Sequence, residues 1–249
     1  MIILKSPEEI KKMGESNAIV AEILTGLEEK VKPGVTTLEL NEYAETVTQK
    51  RGAKPAFKGY GGFPFALCAS VNSEVVHGFP SDRPLEEGDI VSLDYGVCYN
   101  DYYGDSAITV AVGRFSASAS RLMKVTEESL YRGIEKAREG NRLGDISFAV
   151  QSCVEEAGFS VVRDYVGHGI GKNLHEDPPV PNFGMGGRGV KLKAGMVIAI
   201  EPMVNEGAYA VKVRPDGWTV ETDDGSLSAH FEHTIAITEN GPVILSSRA

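Results

Sequence analysis

Two aspartates, Asp94 and Asp105, lie in a stretch that otherwise has the pattern of two β-strands joined by a polar turn, Gly88 to Val110. Isolated acids are disfavoured inside strands because a half-buried pleated surface solvates a charge poorly. Side chains alternate between the two faces of a strand, so Asp94 shares one face with Ser92, and Val91 and Leu93 occupy the other. Two carboxylates on one hairpin therefore predict a cation-binding site.

The pattern around these aspartates occurs a second time in the chain. The segment LEEGDIVSLD is matched by LKAGMVIAIE, YGDSAITV is matched by HFEHTIAI, and VVHG is matched by VGHG. The chemistry-bearing pairs are Asp94 with Glu201, Asp105 with Glu232, and His77 with His168. A histidine followed by two strand carboxylates thus recurs in the same order, which indicates an internal duplication of a site-bearing unit.

Five of these residues have the chemistry of metal ligands. Taken singly, each has an ordinary interpretation, because a strand aspartate is commonly a turn or edge residue and a histidine is commonly a hydrogen-bonded core or surface residue. Taken together at repeat positions, four carboxylates and one histidine carry a formal charge of −4, which matches two divalent cations. The predicted ligands are Asp94, Asp105, His168, Glu201 and Glu232.

Capping signals and the helical spacing of apolar residues predict four helices that position these strands. The helices are expected from the Ser6–Glu9 capping box to before Pro33, from Thr36 to near Gly52, from about Ser118 to Glu139, and from about Asp145 to Ala157. Each half is then predicted to contain two helices, a His-Gly loop and strands, in that order. We expect one domain, 1–249, with repeat halves of about 1–113 and 114–249 that join near Gly113.

Composition limits the classes of protein to which the chain can belong. The 249 residues include 42% hydrophobic and 24% charged residues, which is typical of a globular chain, and the formal net charge is −10 with no basic run. Nucleic-acid binding through phosphates is therefore not expected. The three cysteines, Cys68, Cys98 and Cys153, have no CxxC spacing, and no signal peptide or long apolar run occurs. These features predict a cytoplasmic protein with no membrane partner. The segment GHGIGK lacks the spacing of a phosphate-binding loop.

Six motifs, in order and with matching spacing, resemble those of the methionine aminopeptidases over essentially the whole chain. They are NSEVVHGFP, SLDYG followed by GDSA, GHGIG, HEDP, IEPM and SAHFEHT. The match is to the type I, bacterial-like form, since Glu201 and Glu232 are too close in sequence for the long insertion of type II. The resemblance implies an α+β pita-bread fold, which is a curved antiparallel sheet with two pairs of outer helices and pseudo-twofold symmetry. It also implies that the five predicted ligands hold two ions of Co, Mn, Fe or Zn.

The resemblance further implies the roles of the remaining site residues. Glu201 corresponds to the general base, His175 to the group that binds the scissile carbonyl oxygen, and His77 to the group beside the leaving nitrogen. The methionine pocket corresponds to Tyr60, Phe63, Cys68 and Trp218. The expected substrates are nascent polypeptides that begin with Met, with a small second residue preferred. A monomer is expected, with the ribosome as a candidate partner.

Two positions depart from the family pattern, and two alternatives remain open. His230 stands where the family commonly has Gln, and Leu174 stands where an aromatic residue often precedes His175. His230 and His233 are expected to support the site without binding metal. The first alternative is the prolidase and aminopeptidase P branch, which carries a large N-terminal domain not expected here. The second is a non-catalytic peptide-binding module of the same fold.

The repeat also leads to three expectations about geometry. Helices of both halves are expected on the same side of one sheet. The strand ends that carry Asp94 and Glu201 are expected to meet near the pseudo-twofold axis, with Asp105 and Glu232 beside them. His77 is expected to stand off the metals and face the substrate.

Overall fold

The structure is a computed structural model and describes residues 1–248. It contains four α-helices, as the sequence predicts. They are α1 Pro7–Lys30, α2 Thr37–Lys50, α3 Ala117–Lys136 and α4 Leu143–Glu156. Helix α3 ends three residues before the predicted Glu139, because the backbone leaves the helical region at Ala137.

The helix N-termini are fixed by side-chain caps. The side chains of Ser6 and Thr36 each accept a hydrogen bond from the backbone N–H three residues further on. The carboxylates of Glu9 and Glu39 accept in turn from the backbone N–H of the cap residue. Helix α4 begins two residues before the predicted start, because Asp145 is not the cap. The Asp145 carboxylate instead accepts a hydrogen bond from the Arg142 backbone N–H at 2.7 Å. These bonds satisfy N–H groups that have no partner inside the helix.

The strands are short except for two long ones in the first half. They are β1 Lys54–Pro55, β2 Cys68–Val71, β3 Glu74–Val76, β4 Ile90–Tyr99, β5 Tyr102–Ala111, β6 Ser160–Val161, β7 Gly167–Gly169, β8 Glu176–Val180, β9 Val197–Ile200, β10 Met203–Asn205, β11 Val211–Val213, β12 Val220–Thr222, β13 Ser228–His230, β14 Glu232–Thr238 and β15 Gly241–Ile244. A 3₁₀ turn covers Tyr60–Gly62.

The main sheet is antiparallel at every pairing, with the order β1-β4-β5-β14-β9-β7-β8. Strand β2 also pairs with β4, and β15 with β14. Two smaller three-stranded sheets, β13-β10-β6 and β11-β12-β3, complete the fold. The predicted curved antiparallel sheet with outer helices is confirmed.

The predicted hairpin is formed by β4 and β5. They pair over ten residues each, from Ile90 opposite Ala111 to Tyr99 opposite Tyr102. The two turn residues, Asn100 and Asp101, have φ of 50° and 66°, the left-handed backbone that a tight two-residue hairpin turn requires. Asn and Asp tolerate this backbone better than other residues with a Cβ.

The helices of both halves lie on one face of the sheet. A Cβ on Gly104 would lie 2.8 Å from the Asn17 backbone nitrogen, so β5 touches α1 at this glycine. In the second half, a Cβ on Gly133 of α3 would lie 3.5 Å from the Ile200 side chain on β9. Gly104 precedes Asp105 and Ile200 precedes Glu201, so the acids point to the opposite face. Helices on one side and carboxylates on the other agree with the expectation from the repeat.

The order of the acid-bearing strands differs from the expectation. Strands β5 and β14 are adjacent at the centre, so Asp105 and Glu232 are the inner pair, and Asp94 and Glu201 flank them. The reason is that β4 is already paired on its outer edge with β1 and β2, and β9 with β7. The strand edges still free to pair across the two halves are those of β5 and β14.

Within residues 1–248, no helix combines the length and apolar character needed to cross a bilayer.

Candidate metal centre and active site

The strand register brings four carboxylates to one face of the sheet. Asp94 lies opposite Ala107, and Ala107 lies opposite Glu232 on the next strand. His233 pairs with Ile200 in an antiparallel register. The residue before His233, Glu232, is therefore opposite the residue after Ile200, Glu201. Residues directly opposite each other share a face, and Asp105 shares the face of Ala107 because it is two residues away along β5.

His168 reaches the same face from strand β7. The glycines on either side of it permit very close backbone contacts: a Cβ on Gly167 would lie 2.4 Å from the Ala199 carbonyl oxygen, and one on Gly169 would lie 2.2 Å from the Asp177 carbonyl oxygen. Only glycine fits at both positions. The repeated His-Gly pattern seen in the sequence thus has a packing reason in this half.

A cavity of about 290 Å³ lies over these residues and is bounded by every site residue that the sequence predicts. The predicted residues at its wall are Tyr60, Phe63, Cys68, His77, Asp94, Asp105, His168, His175, Glu201, Trp218 and Glu232. Phe57, Val76, Tyr165 and Met203 also line it, and none of the sequence patterns predicts them as site residues. Met203 lies within the motif IEPM, which is a signal that could have pointed to it.

Asp105 and Glu232 are buried, Asp94 and Glu201 are half-buried, and several of the carboxylate oxygens lack a partner. Asp94 Oδ1, Asp105 Oδ1 and Glu232 Oε1 have no hydrogen-bond partner among residues 1–248. Burial raises the pKa of Asp105 to about 7, and it holds the pKa values of Asp94, Glu201 and Glu232 well above their ordinary range, with the neighbouring acids adding to the effect. These carboxylate oxygens face one cavity without hydrogen-bond partners, and their negative charges would repel one another. Such an arrangement fits a site that holds cations.

His168 has the protonation state and tautomer in which imidazole binds a metal. Its Nδ1 lies 2.9 Å from the Gly169 carbonyl oxygen, which only accepts, so Nδ1 carries the proton and Nε2 has a free lone pair. Nε2 lies 3.9 Å from Asp105 Oδ2 and 3.6 Å from Glu201 Oε1. Burial, and then the nearby His175, lowers the pKa of His168 to about 4, so the ring is neutral near pH 7. A lone pair facing two carboxylates fits a cation between them.

The donor atoms are close enough to share one ion. One atom each of Asp105, His168 and Glu232 lies within 4.8 Å of those of the other two, and all three residues are buried. His77 is not a member of this group. Carboxylate oxygens and one imidazole nitrogen are ligands suited to first-row divalent metals. The chain therefore has a buried cluster of Asp, His and Glu that is able to bind metal.

Comparison with known proteins agrees with this chemistry. The model of metallopeptidase family M24 matches residues 11–239. The chain belongs to this family. It is 58% identical to the methionine aminopeptidase of Clostridium perfringens over 246 residues, which covers 99% of each chain. It is 53% identical to methionine aminopeptidase 1 of Bacillus subtilis, again covering 99% of each.

The solved structures show the same relationship. The methionine aminopeptidase of Rickettsia prowazekii has a TM-score of 0.98 and 43% identity, covering 99% of this chain and 100% of that one. A prolidase from Pyrococcus horikoshii has a TM-score of 0.80 and 26% identity, and the match covers 100% of this chain but 65% of the prolidase. The M24 fold is therefore shared with both groups, and the full-length match is with the methionine aminopeptidases.

His77 occupies a strained position in this M24 chain. Its φ is 59°, which is unusual for a residue with a Cβ, and it precedes Gly78, where a Cβ would lie 2.5 Å from the Ala69 carbonyl oxygen. The ring packs edge-on against Tyr165, with centroids 5.6 Å apart. Burial, and then His175, lowers the pKa of His77 to about 4. Strain of this kind concentrates at functional sites, where the surrounding structure holds it in place.

The aromatic side of the cavity is built around Phe63. This ring is buried and lies 5.2 Å from Trp218 and 5.5 Å from Phe79, both in edge-to-face geometry. Cys68 pairs with Asp94 across β2 and β4, and its thiol is buried. Burial, and then Asp94, raises the pKa of Cys68 well above its ordinary value, so the thiol stays protonated. The result is an apolar, sulfur-compatible wall beside the carboxylates.

The two departures from the family pattern occupy different places. His230 is buried, and its Nε2 lies 3.8 Å from Glu201 Oε2, while neither ring nitrogen has a hydrogen-bond partner in the described part of the chain. Burial, and then His77, lowers the pKa of His230 to about 3, so this ring is neutral. Leu174 is buried at the cavity wall and packs with Ile170. His233 points away from the carboxylates, and its Nδ1 lies 2.8 Å from Ser246 Oγ.

Proposed function

We propose that this chain is a metal-dependent aminopeptidase that removes the N-terminal methionine from polypeptides. The observation that carries the proposal is the convergence of four carboxylates and one neutral imidazole, with unpartnered inward-facing oxygens, at the end of an apolar cavity. The full-length similarity to methionine aminopeptidases supports the choice of substrate within the M24 family.

We propose Asp94, Asp105, His168, Glu201 and Glu232 as the ligands of two divalent ions of Mn, Fe, Co or Zn. Four carboxylates balance the charge of two such ions, and Asp105 and Glu232 lie at the centre of the proposed ligand set. When bound, ions of this kind would lower the pKa of water towards roughly 7 and so supply a nucleophile near neutral pH.

The chain's own residues would then handle the protons and orient the substrate. Glu201 accepts the proton of the attacking water, because its carboxylate lies at the edge of the cluster and faces the cavity. His175 donates to the scissile carbonyl oxygen as negative charge develops there. The nitrogen that leaves receives the proton that Glu201 accepted, and His77, held away from the metal cluster in its strained backbone, orients that nitrogen.

The methionine side chain would occupy the aromatic side of the cavity. Phe63, Cys68 and Trp218 form its apolar wall, and Tyr60 lies at the rim. Contacts between a thioether and aromatic rings are favourable by roughly 0.3–1.5 kcal/mol. The proposed preference for a small second residue follows the resemblance to type I enzymes.

We also propose a cytoplasmic monomer that acts on nascent chains, with the ribosome as a candidate partner and without nucleic-acid binding of its own. The net charge of −10 supports the last point. The two matching sets of helix pair, histidine and acids support one domain with halves of about 1–113 and 114–249.

The test is hydrolysis of defined peptides by metal-reconstituted protein, with the released amino acid identified by chromatography. Met-Ala-Ser is expected to release Met, and Ala-Pro is expected to remain intact. Release of Ala from Ala-Pro alone would place the chain with the prolidases. A folded protein that binds no divalent ion by elemental analysis, and cleaves neither peptide, would be a binding module. Glu201→Gln is the control for contaminating peptidase.

A further inference from the structure

The His175 ring lies at the rim of the cavity, between the side chains of His168 and Tyr60. On one side its ring packs against His168 with centroids 4.3 Å apart. On the other side its Nδ1 lies 2.8 Å from the hydroxyl oxygen of Tyr60, with the ring centroids 5.1 Å apart. Across residues 1–248, this is the only hydrogen bond made by the His175 side chain. The residue itself is exposed, so surrounding packing does little to fix its rotation.

Tyr60 reaches His175 from a turn that is shaped to present it. Gly59, Gly61 and Gly62 have φ of 85°, 57° and 94°, a left-handed backbone that residues with a Cβ rarely adopt. The turn is closed by two backbone bonds, from Gly59 N–H to the Phe63 carbonyl at 2.7 Å and from Phe63 N–H to the Tyr60 carbonyl at 3.0 Å. Tyr60 is 45% exposed, so little packing holds this ring. The bond to His175 is thus the main directed contact of the Tyr60 side chain.

A hydrogen bond at Nδ1 decides which nitrogen of a neutral imidazole carries the proton. If the Tyr60 hydroxyl donates to Nδ1, the proton of His175 must be on Nε2. A carbonyl oxygen accepts and cannot donate, so only this tautomer allows a neutral His175 to bind a substrate carbonyl through Nε2.

We propose that Tyr60 is a positioning residue that donates its hydroxyl to His175 Nδ1 and thereby holds His175 with Nε2–H directed to the substrate. The role differs from the lining of a methionine pocket, since it acts through His175 and not on the substrate side chain. It rests on the proposed aminopeptidase function for its effect on turnover, but the hydrogen bond and the tautomer are properties of the protein alone.

The first test reads the tautomer without any turnover. The chain has five histidines, so ¹⁵N-histidine labelling of the zinc-loaded protein gives a small set of ring-nitrogen signals, and His175→Ala identifies the pair that belongs to His175. We expect a protonated Nε2 and a bare Nδ1 for His175, and a shift of Nδ1 in Tyr60→Phe. A protonated Nδ1 in the parent protein, or unchanged His175 signals in Tyr60→Phe, would overturn the proposal.

The second test asks whether Tyr60 acts through His175. Tyr60→Phe is expected to lower kcat on Met-Ala-Ser by about 3- to 10-fold, which corresponds to one ordinary hydrogen bond, and to leave KM little changed. In a His175→Ala background the same substitution is expected to have almost no further effect. An equal loss in both backgrounds would show that Tyr60 acts directly on substrate.

A matched control removes a hydroxyl from another exposed tyrosine. Tyr209 is 47% exposed and does not bound the cavity, so Tyr209→Phe is expected to leave both kcat and the His175 signals unchanged. If no peptide is cleaved by the parent protein, the proposed function fails while the NMR experiment still decides the hydrogen bond. If His175→Ala has no measurable turnover, the NMR experiment again decides.

Discussion

Replacing Asp105 with Asn should change how the stability of the metal-free protein depends on pH. Burial raises the pKa of Asp105 to about 7, whereas an ordinary aspartate has a value of 3.8. Between these values the folded state holds a proton that the unfolded state has lost. Rising pH therefore removes stability through this window, and the loss persists above pH 7.

The size of the effect follows from the difference between the two pKa values. A difference of about 3 units corresponds to about 4 kcal/mol in total, of which about 3 kcal/mol falls between pH 5 and pH 8. Asn has nearly the same shape and no charge, so Asp105→Asn should remove this part of the pH dependence. The three other acids remain and keep a smaller slope of the same sign, because burial also raises their pKa values.

The assay is urea unfolding in the presence of a chelator at pH 5 and pH 8. The parent protein should be markedly less stable at pH 8, and Asp105→Asn should lose about 3 kcal/mol less between the two conditions. Asp101→Asn is the matched control, since Asp101 is exposed at the turn of the same hairpin and its left-handed backbone suits Asn. Identical pH dependence in the parent and in Asp105→Asn would refute the view that the buried charge is penalised.

The same variants should respond differently to metal. An ion that binds only the folded state stabilises it by about 2.7 kcal/mol at a concentration of 100 times its dissociation constant. Manganese at a fixed concentration should therefore raise the unfolding midpoint of the parent protein strongly at pH 8 and that of Asp105→Asn much less. An equal rise in both proteins would argue against Asp105 as a ligand.

Three further substitutions test the proposed roles. Glu201→Gln should fold normally but lower kcat by at least about 10²- to 10⁴-fold, since the general base is lost, and near-normal turnover of Met-Ala-Ser would contradict that role. His168→Ala should bind less metal by elemental analysis, whereas His175→Ala should keep its metal and lose mainly turnover; the reverse result would show that the two roles are exchanged. His230→Leu removes the neutral ring whose Nε2 lies 3.8 Å from Glu201 Oε2 and should lower kcat, whereas His230→Gln keeps an amide donor and should retain most activity, so equal activity of the two variants would exclude a polar role for this side chain.

Much of the fold follows from local patterns that the sequence contains. Capping boxes depend on residues three apart, helices on a spacing of three and four, and strands on alternation, so α1, α2 and the β4–β5 hairpin were predicted close to their observed ends. The repeat of a histidine and two acids also identified the residues that meet at the cavity. The boundaries of α3 and α4 were less accurate, because the backbone leaves the helical region at Ala137 and because Asp145 is the third residue of its capping box and not the cap.

The arrangement of those residues was decided only by the tertiary structure. The order of the acids across the sheet depends on which strand edges remain unpaired after each half has formed its hairpins, and no local pattern contains that information. The approach of His230 to Glu201 and the bond between Tyr60 and His175 join residues distant in sequence, the latter pair 115 positions apart. The sequence alone determined which side chains have the chemistry for metal binding and peptide hydrolysis. Strand register and loop packing determined which of their atoms face one another, because those distances depend on the closure of the whole sheet.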